Sequence, residues 1–333
     1  AVSAGSNGFT VTMNTATGGV TDSYFDVTSA DYNGDGLNDL MLSASPASAD
    51  MRNASAFVFY GQTGTNIAFG NAFATASLGF KISDGDGVNM YAGIAAKVLY
   101  NAAGLVAPFA GGTPNNIGMM TAGDVNGDGL DDYILAQVGR AVVVFGNANG
   151  SANFDLPDGT NNPTSFSGGF IIKANDTLGN FGASDVAGGG DINGDGLDDL
   201  AIGGETYGGV TGVVNVVFGK TDGNTVNQSQ LTASSNTLGF RITEAAQTVS
   251  STGAALAVPN NMAHVQVLGD VNGDGLADIG IAQYDRAIVV FGKAEGSSVS
   301  ASAIAAGSSS SGFAIQGVAS TMGGFGFLVN AGD

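Results

Sequence analysis

Four nine-residue segments recur almost unchanged along this 333-residue chain, and such a recurrence constrains the fold more than any local feature. Each reads Asp-x-Asn-Gly-Asp-Gly-Leu-x-Asp, and they start at Asp31, Asp124, Asp191 and Asp270, which are 93, 67 and 79 residues apart. An apolar stretch follows each one (Leu40 to Leu42, Tyr133 to Leu135, Leu200 to Ile202, Ile279 to Ile281). A β-branched run comes next and closes on an aromatic and a glycine, at Tyr60-Gly61, Phe145-Gly146, Phe218-Gly219 and Phe291-Gly292. A Gly-Phe pair opens a further strand at Gly8, Gly79, Gly169, Gly239 and Gly312. The aromatics share positions in the repeat, which makes them packing residues.

One unit therefore predicts four short strands, two flanking the acidic loop and two after it. That is the pattern of a β-propeller blade, enlarged over the usual ~40 to 50 residues. A β-helix repeat would be much shorter, and tandem sandwiches would need about seven strands per domain. The expected fold is all-β: a β-propeller of four-stranded antiparallel blades carrying calcium-binding loops. Four full repeats fall at about 12–82, 83–172, 173–242 and 243–315, with partial repeats at 1–11 and 316–333. Asn330-Ala-Gly-Asp333 matches Thr121-Ala-Gly-Asp124, which reads as the opening of a fifth loop in a longer chain. The segment from Asn101 to Asn116, rich in Gly, Ala and Pro, reads as an inserted loop.

Composition narrows the function. Nine basic against 29 acidic residues give a net charge of −20, and the bases are scattered, so a nucleic-acid partner or an anionic membrane surface is excluded. Uninterrupted apolar stretches such as Ala141 to Phe145 fall far short of the ~20 residues that cross a bilayer. With no Cys and a single His, there is no disulfide framework, thiolate zinc site or Cys nucleophile. The 55 glycines and the 11% charged residues favour short strands and tight turns over helix, and make the core of each unit look thin.

The chemistry lies in the loops. Side-chain oxygens stand at positions 1, 3, 5 and 9, and the backbone carbonyl of the leucine at position 7 is available. The four sets are Asp31, Asn33, Asp35, Leu37 and Asp39; Asp124, Asn126, Asp128, Leu130 and Asp132; Asp191, Asn193, Asp195, Leu197 and Asp199; and Asp270, Asn272, Asp274, Leu276 and Asp278. Alternating oxygens on a glycine-containing turn suit Ca²⁺, which takes 6 to 8 oxygen ligands, better than Mg²⁺, which keeps its waters. An EF-hand needs a bidentate Glu at position 12, where this chain has Leu42, Leu135, Ile202 or Ile281. The set closes at position 9 instead, so the cation clips a strand-to-strand turn. Three acidic positions in each loop account for twelve of the 29 acidic residues. Four structural Ca²⁺ are expected, each offsetting the chain entropy of its turn. In the pairs Asp131-Asp132 and Asp198-Asp199 the second residue is a ligand, and the first is expected to point to solvent.

On these residues the chain resembles the FG-GAP repeat family, the units of the integrin α-subunit β-propeller and its bacterial relatives. The matching features are Phe181-Gly182 and Phe325-Gly326 before a loop, the Asp-x-Asn-Gly-Asp-Gly-x-x-Asp loop itself and the hydrophobic strand after it. The Gly-Ala-Pro turn of the family survives only as Ser43 to Pro46, Ala136-Gln137, Gly203 to Glu205 and Ala282-Gln283. The resemblance implies Ca²⁺ in the four loops, an extracellular or cell-surface location, and a non-catalytic role in adhesion or surface assembly. The partner would be a protein or glycan ligand at a cell surface, with self-assembly conceivable through incomplete edges. A carbohydrate-binding propeller, using Tyr91, Tyr207 or Tyr284 for stacking, and an accessory module of a secreted hydrolase are the alternatives.

Other features read more plainly. Ser83-Asp84-Gly-Asp86 lacks the later Asp and reads as a solvated turn. His264 has no His or Cys partner and reads as a strand-end residue, and the sequons at Asn53, Asn149, Asn175 and Asn227 are what chance gives in an Asn- and Ser-rich chain.

Overall fold

The computed structural model describes residues 11–13, 23–46, 55–61, 67–69, 79–84, 119–137, 140–148, 154–156, 164–173, 181–205, 212–233, 236–244, 264–283 and 286–316. Strands form where β-branched residues cluster, because side chains such as those of Arg140–Val144 and Arg286–Val290 fit a pleated surface covered on both faces. Four antiparallel sheets result, arranged as a four-bladed β-propeller. The first blade contains Ser23–Ala30, Asp39–Pro46, Ser55–Phe59 and Gly79–Asp84, each paired with the next. The second contains Met119–Gly123, Asp132–Gln137, Arg140–Val144 and Gly169–Lys173. The third contains Phe181–Ala187, Leu200–Glu205, Gly212–Val217 and Gly239–Thr243. The fourth contains His264–Gly269, Asp278–Ala282, Arg286–Val290 and Gly312–Gln316, with His264 opening its innermost strand.

Three of the blades carry a fifth strand that the four-stranded expectation missed. The connection between the third and fourth strands of each blade reaches back and pairs, in parallel, with the outermost strand of the blade before it. Phe154–Leu156 lies along Ile82 to Asp84, Val226–Asn227 along Ile172 and Lys173, and Val299–Ser300 along Ile242 and Thr243. Ile67–Phe69 pairs in the same way with Val11–Met13, so the pattern extends to the strand ahead of the first blade. These clasps are two or three residues long, and two of them run into single helical turns at Gln228–Thr232 and Ala301–Ala305. The buried Leu231 and Ile304 anchor those turns. No helix among the described residues is long and apolar enough to cross a membrane.

The core sits between blades and not inside them, which corrects the expectation of thin cores. Met41 and Val58 of the first blade pack with Tyr133 and Val142 of the second. Phe170 and Ile172 of the second join Leu200 and Val217 of the third, and Phe240 and Ile242 of the third join Ile279 and Ile288 of the fourth. Sharing each apolar layer between two sheets lets small units reach full burial. In each of blades two to four the aromatic before the glycine packs on the Gly-Phe aromatic: Phe145 on Phe170, Phe218 on Phe240 and Phe291 on Phe313, with ring centroids 6.0, 6.0 and 6.1 Å apart. Among blades two to four, whose outer strands have described side chains, the fourth leaves this layer open. Phe313 and Ile315 are 40% and 49% exposed, whereas Phe170, Ile172, Phe240 and Ile242 are fully buried.

Candidate metal centre

Each acidic loop joins the first two strands of its blade, and the four are built alike. Glycines at positions 4 and 6 have left-handed backbone, with φ of 74° and 84° in the first loop and 81° and 90° in the last, which a side chain would strain. That double reversal aims three backbone N–H groups at the carboxylate of position 1. Asp31 Oδ1 accepts from Gly34 at 2.8 Å and Asp35 at 3.1 Å, and its Oδ2 accepts from Gly36 at 2.8 Å. Asp124, Asp191 and Asp270 repeat these contacts.

Positions 3 and 5 are tied to each other. Asn33 Nδ2 donates to Asp35 Oδ2 at 3.1 Å, the Asp35 N–H donates to Asn33 Oδ1 at 2.9 Å, and Leu37 N–H donates to Asp35 Oδ1 at 2.8 Å. Side chains 1, 3 and 5 are thus gathered at the exposed tip. Backbone N–H bonds, the largest from Gly275, hold the Asp270 carboxyl below its ordinary range.

Position 9 behaves differently, because it is fully buried in all four loops. Asp132 Oδ2 accepts the N–H of Val125 at 2.9 Å and its Oδ1 that of Gly146 at 2.7 Å, so one carboxylate bridges the loop entry and the end of the third strand. Asp39 does the same between Tyr32 and Gly61, Asp199 between Ile192 and Gly219, and Asp278 between Val271 and Gly292. Burial pushes Asp132 and Asp199 up to about 8 and Asp39 to about 6, against the opposing pull of these N–H groups, and it raises Asp278 too. A cation close by would hold these carboxylates ionised.

The loops stand side by side, each touching the next. Leu130 of the second loop approaches Gly34 of the first, Leu197 approaches Gly127, and Leu276 approaches Gly194, so the leucine side chain at position 7 has a packing role that the sequence reading did not give it. The residue after each closing glycine reaches the preceding loop as well. Asn147, Lys220 and Lys293 donate their backbone N–H to the carbonyls of Tyr32, Val125 and Ile192 at 3.0, 2.7 and 2.8 Å.

The paired aspartates require a correction. Asp131 and Asp198 do not point to solvent. Asp131 Oδ2 accepts the N–H of Asp31 at 2.9 Å while its own N–H donates to the Asp31 carbonyl at 3.2 Å. Asp198 holds Asp124 in the same two-bond grip, at 2.9 and 3.1 Å. In the fourth loop the equivalent residue is Ala277, and only its backbone bond to Asp191, at 2.8 Å, remains. The only sequence signal for this grip was the doubled aspartate.

Among the described residues, no group of three or more His, Asp and Glu side chains meets the geometry of a metal site on its own. The expected shell draws in addition on Asn oxygens and backbone carbonyls. Its donors are all oxygen, the chemistry of a hard cation, and positions 1, 3 and 5 converge at the open end, so the residues present fit Ca²⁺. Asp86, Tyr91, Tyr207, Tyr284, Asn53, Asn149, Asn175, Phe325, Asp333 and the segment from Asn101 to Asn116 lie outside the described residues.

The fold and the repeated loops define a β-propeller with four blades in succession and one acidic turn per blade. No protein-family profile and no curated protein matches the chain. Among solved structures it overlaps a chain of a crystal structure of BBS1N in complex with ARL6DN, soaked with lead. That overlap has 11% identity and a TM-score of 0.24, and covers 84% of this chain and 82% of the other.

Proposed function

We infer that this is a calcium-stabilised, non-catalytic propeller of the FG-GAP type, working outside the cell in adhesion or surface assembly. One observation carries the reading: four loops with the same oxygen pattern and the same internal hydrogen bonds, lined up along one side of the blades. Asp31, Asn33, Asp35 and Asp39, the Leu37 carbonyl, and their counterparts in the other loops would hold the ion. When bound, Ca²⁺ supplies charge neutralisation for three clustered carboxylates, and its affinity adds to folding free energy. The loop's own oxygens would supply most of the shell, which favours a structural role over that of a Lewis acid. A protein or glycan at a cell surface would be the partner.

Calcium titration of the chelator-stripped chain tests the metal. About four ions per chain and a large rise in melting temperature are expected. No binding, or binding with no shift in melting, overturns the assignment. Saturable binding in a glycan array would move the partner to the carbohydrate alternative.

A further inference from the structure

The grip of Asp131 on Asp31, and of Asp198 on Asp124, joins the position-8 residue of one loop to the first expected ligand of the loop before it. Each grip spans two blades and fixes the residue at both its N–H and its carbonyl. The Asp198 carboxylate lies close against Gly123, where an added Cβ would stand 2.0 Å from Oδ2, whereas Asp131 makes the same grip beside Ala30. Position 8 itself directly precedes the buried aspartate of its own loop, Asp132 or Asp199.

We propose that Asp131 and Asp198 are positioning residues that couple neighbouring calcium loops, so that filling one loop raises the affinity of the loop before it. The inference rests on the calcium reading. Ordering residues 191 to 199 around an ion fixes Asp198, and Asp198 fixes Asp124 where its side chain meets the next ion. By linkage the effect is reciprocal. The fourth loop offers Ala277 in place of the carboxylate, so the link between the fourth and third loops is the weak one, and the chain divides into a coupled set of three and one more independent site.

Calcium titration of the full chain, followed loop by loop through the backbone amides of Gly129, Gly196 and Gly275, tests this. Asp198→Ala, which removes a carboxylate bonded to the Asp124 backbone, should raise the calcium midpoint at Gly129 by about three- to tenfold, the net effect of one ordinary hydrogen bond, and leave Gly275 unmoved. Asp198→Asn keeps an acceptor oxygen, as Asn38 does at this place in the first loop, and should restore most of the loss. The reverse change, Ala277→Asp, should lower the midpoint at Gly196, because Gly190 stands before that loop as Gly123 stands before the second. This arm holds even where Asp198→Ala folds poorly. Normal four-site binding with unchanged midpoints in Asp198→Ala and Ala277→Asp overturns the coupling alone. A wild-type chain that binds no calcium overturns the calcium reading, and the coupling with it.

Discussion

Gly146 leaves no room for a side chain beside Leu130: a Cβ placed there would lie 2.5 Å from the Leu130 Cβ, 2.8 Å from the Asp131 carbonyl oxygen and 3.1 Å from that of Tyr32. Two of these three neighbours are backbone and cannot swing away. The aromatic-glycine landmark of the sequence is thus a point where a third strand passes against its own acidic loop and the loop of the blade before it.

Gly146→Ala should therefore destabilise by more than about 3 kcal/mol, with the loss shared between the first two blades. Gly129→Ala meets nothing within 4 Å and should cost only the left-handed backbone penalty, about 1 to 2 kcal/mol. Denaturant unfolding of both variants decides, and equal costs would contradict the close approach.

The buried and exposed aspartates should separate when calcium is removed. Asp132→Ala removes the carboxylate that accepts from Gly146 and leaves the Val125 N–H only the Gly123 carbonyl, at a cost of about 1 to 3 kcal/mol even in chelator. Asp128→Ala, at the exposed tip, should change chelator-state stability by less than about 1 kcal/mol and show its main effect in calcium affinity. Melts with and without calcium read both quantities.

Stability should depend on pH with opposite slopes in the two states. Asp132 and Asp199, pushed up to about 8, and Asp39, pushed to about 6, hold protons more tightly folded than unfolded, where the value is 3.8. Their contribution in chelator is complete below about pH 4 and is lost as pH climbs towards 8. With saturating calcium, which needs the ionised carboxylates, melting temperature should rise over the same interval. Melting curves in both buffers across that range give the comparison, and parallel slopes would count against metal in the loops.

The open face of the fourth blade should behave as an adhesive patch. Replacing Phe313 and Ile315 by Thr should reduce concentration-dependent association in light scattering and change stability by no more than about 1 kcal/mol. The same class of change at the fully buried Phe240, to Ala, should cost about 3 to 5 kcal/mol.

The loops and most strands were legible because their signals are local: the oxygen spacing, the glycines at positions 4 and 6, and runs such as Ala141 to Val144. The residues that join blades were not. Val226–Asn227 and Val299–Ser300 are too short to carry a period, and their partners lie 50 or more residues away. Asp131 looked like a solvated neighbour of Asp132 because the N–H it accepts belongs to Asp31, 100 residues earlier. Thin cores were inferred from one repeat at a time, whereas Met41 and Tyr133 fill a layer that neither blade owns.

The backward-reaching clasps also order events in time. As the chain leaves the ribosome, the Gly169–Lys173 strand stays uncovered until Val226–Asn227 has been made, so each of the first three sheets waits for its successor before it is sealed. A cut in one connection would leave the pieces interlaced, much as a broken link leaves chain mail hanging together.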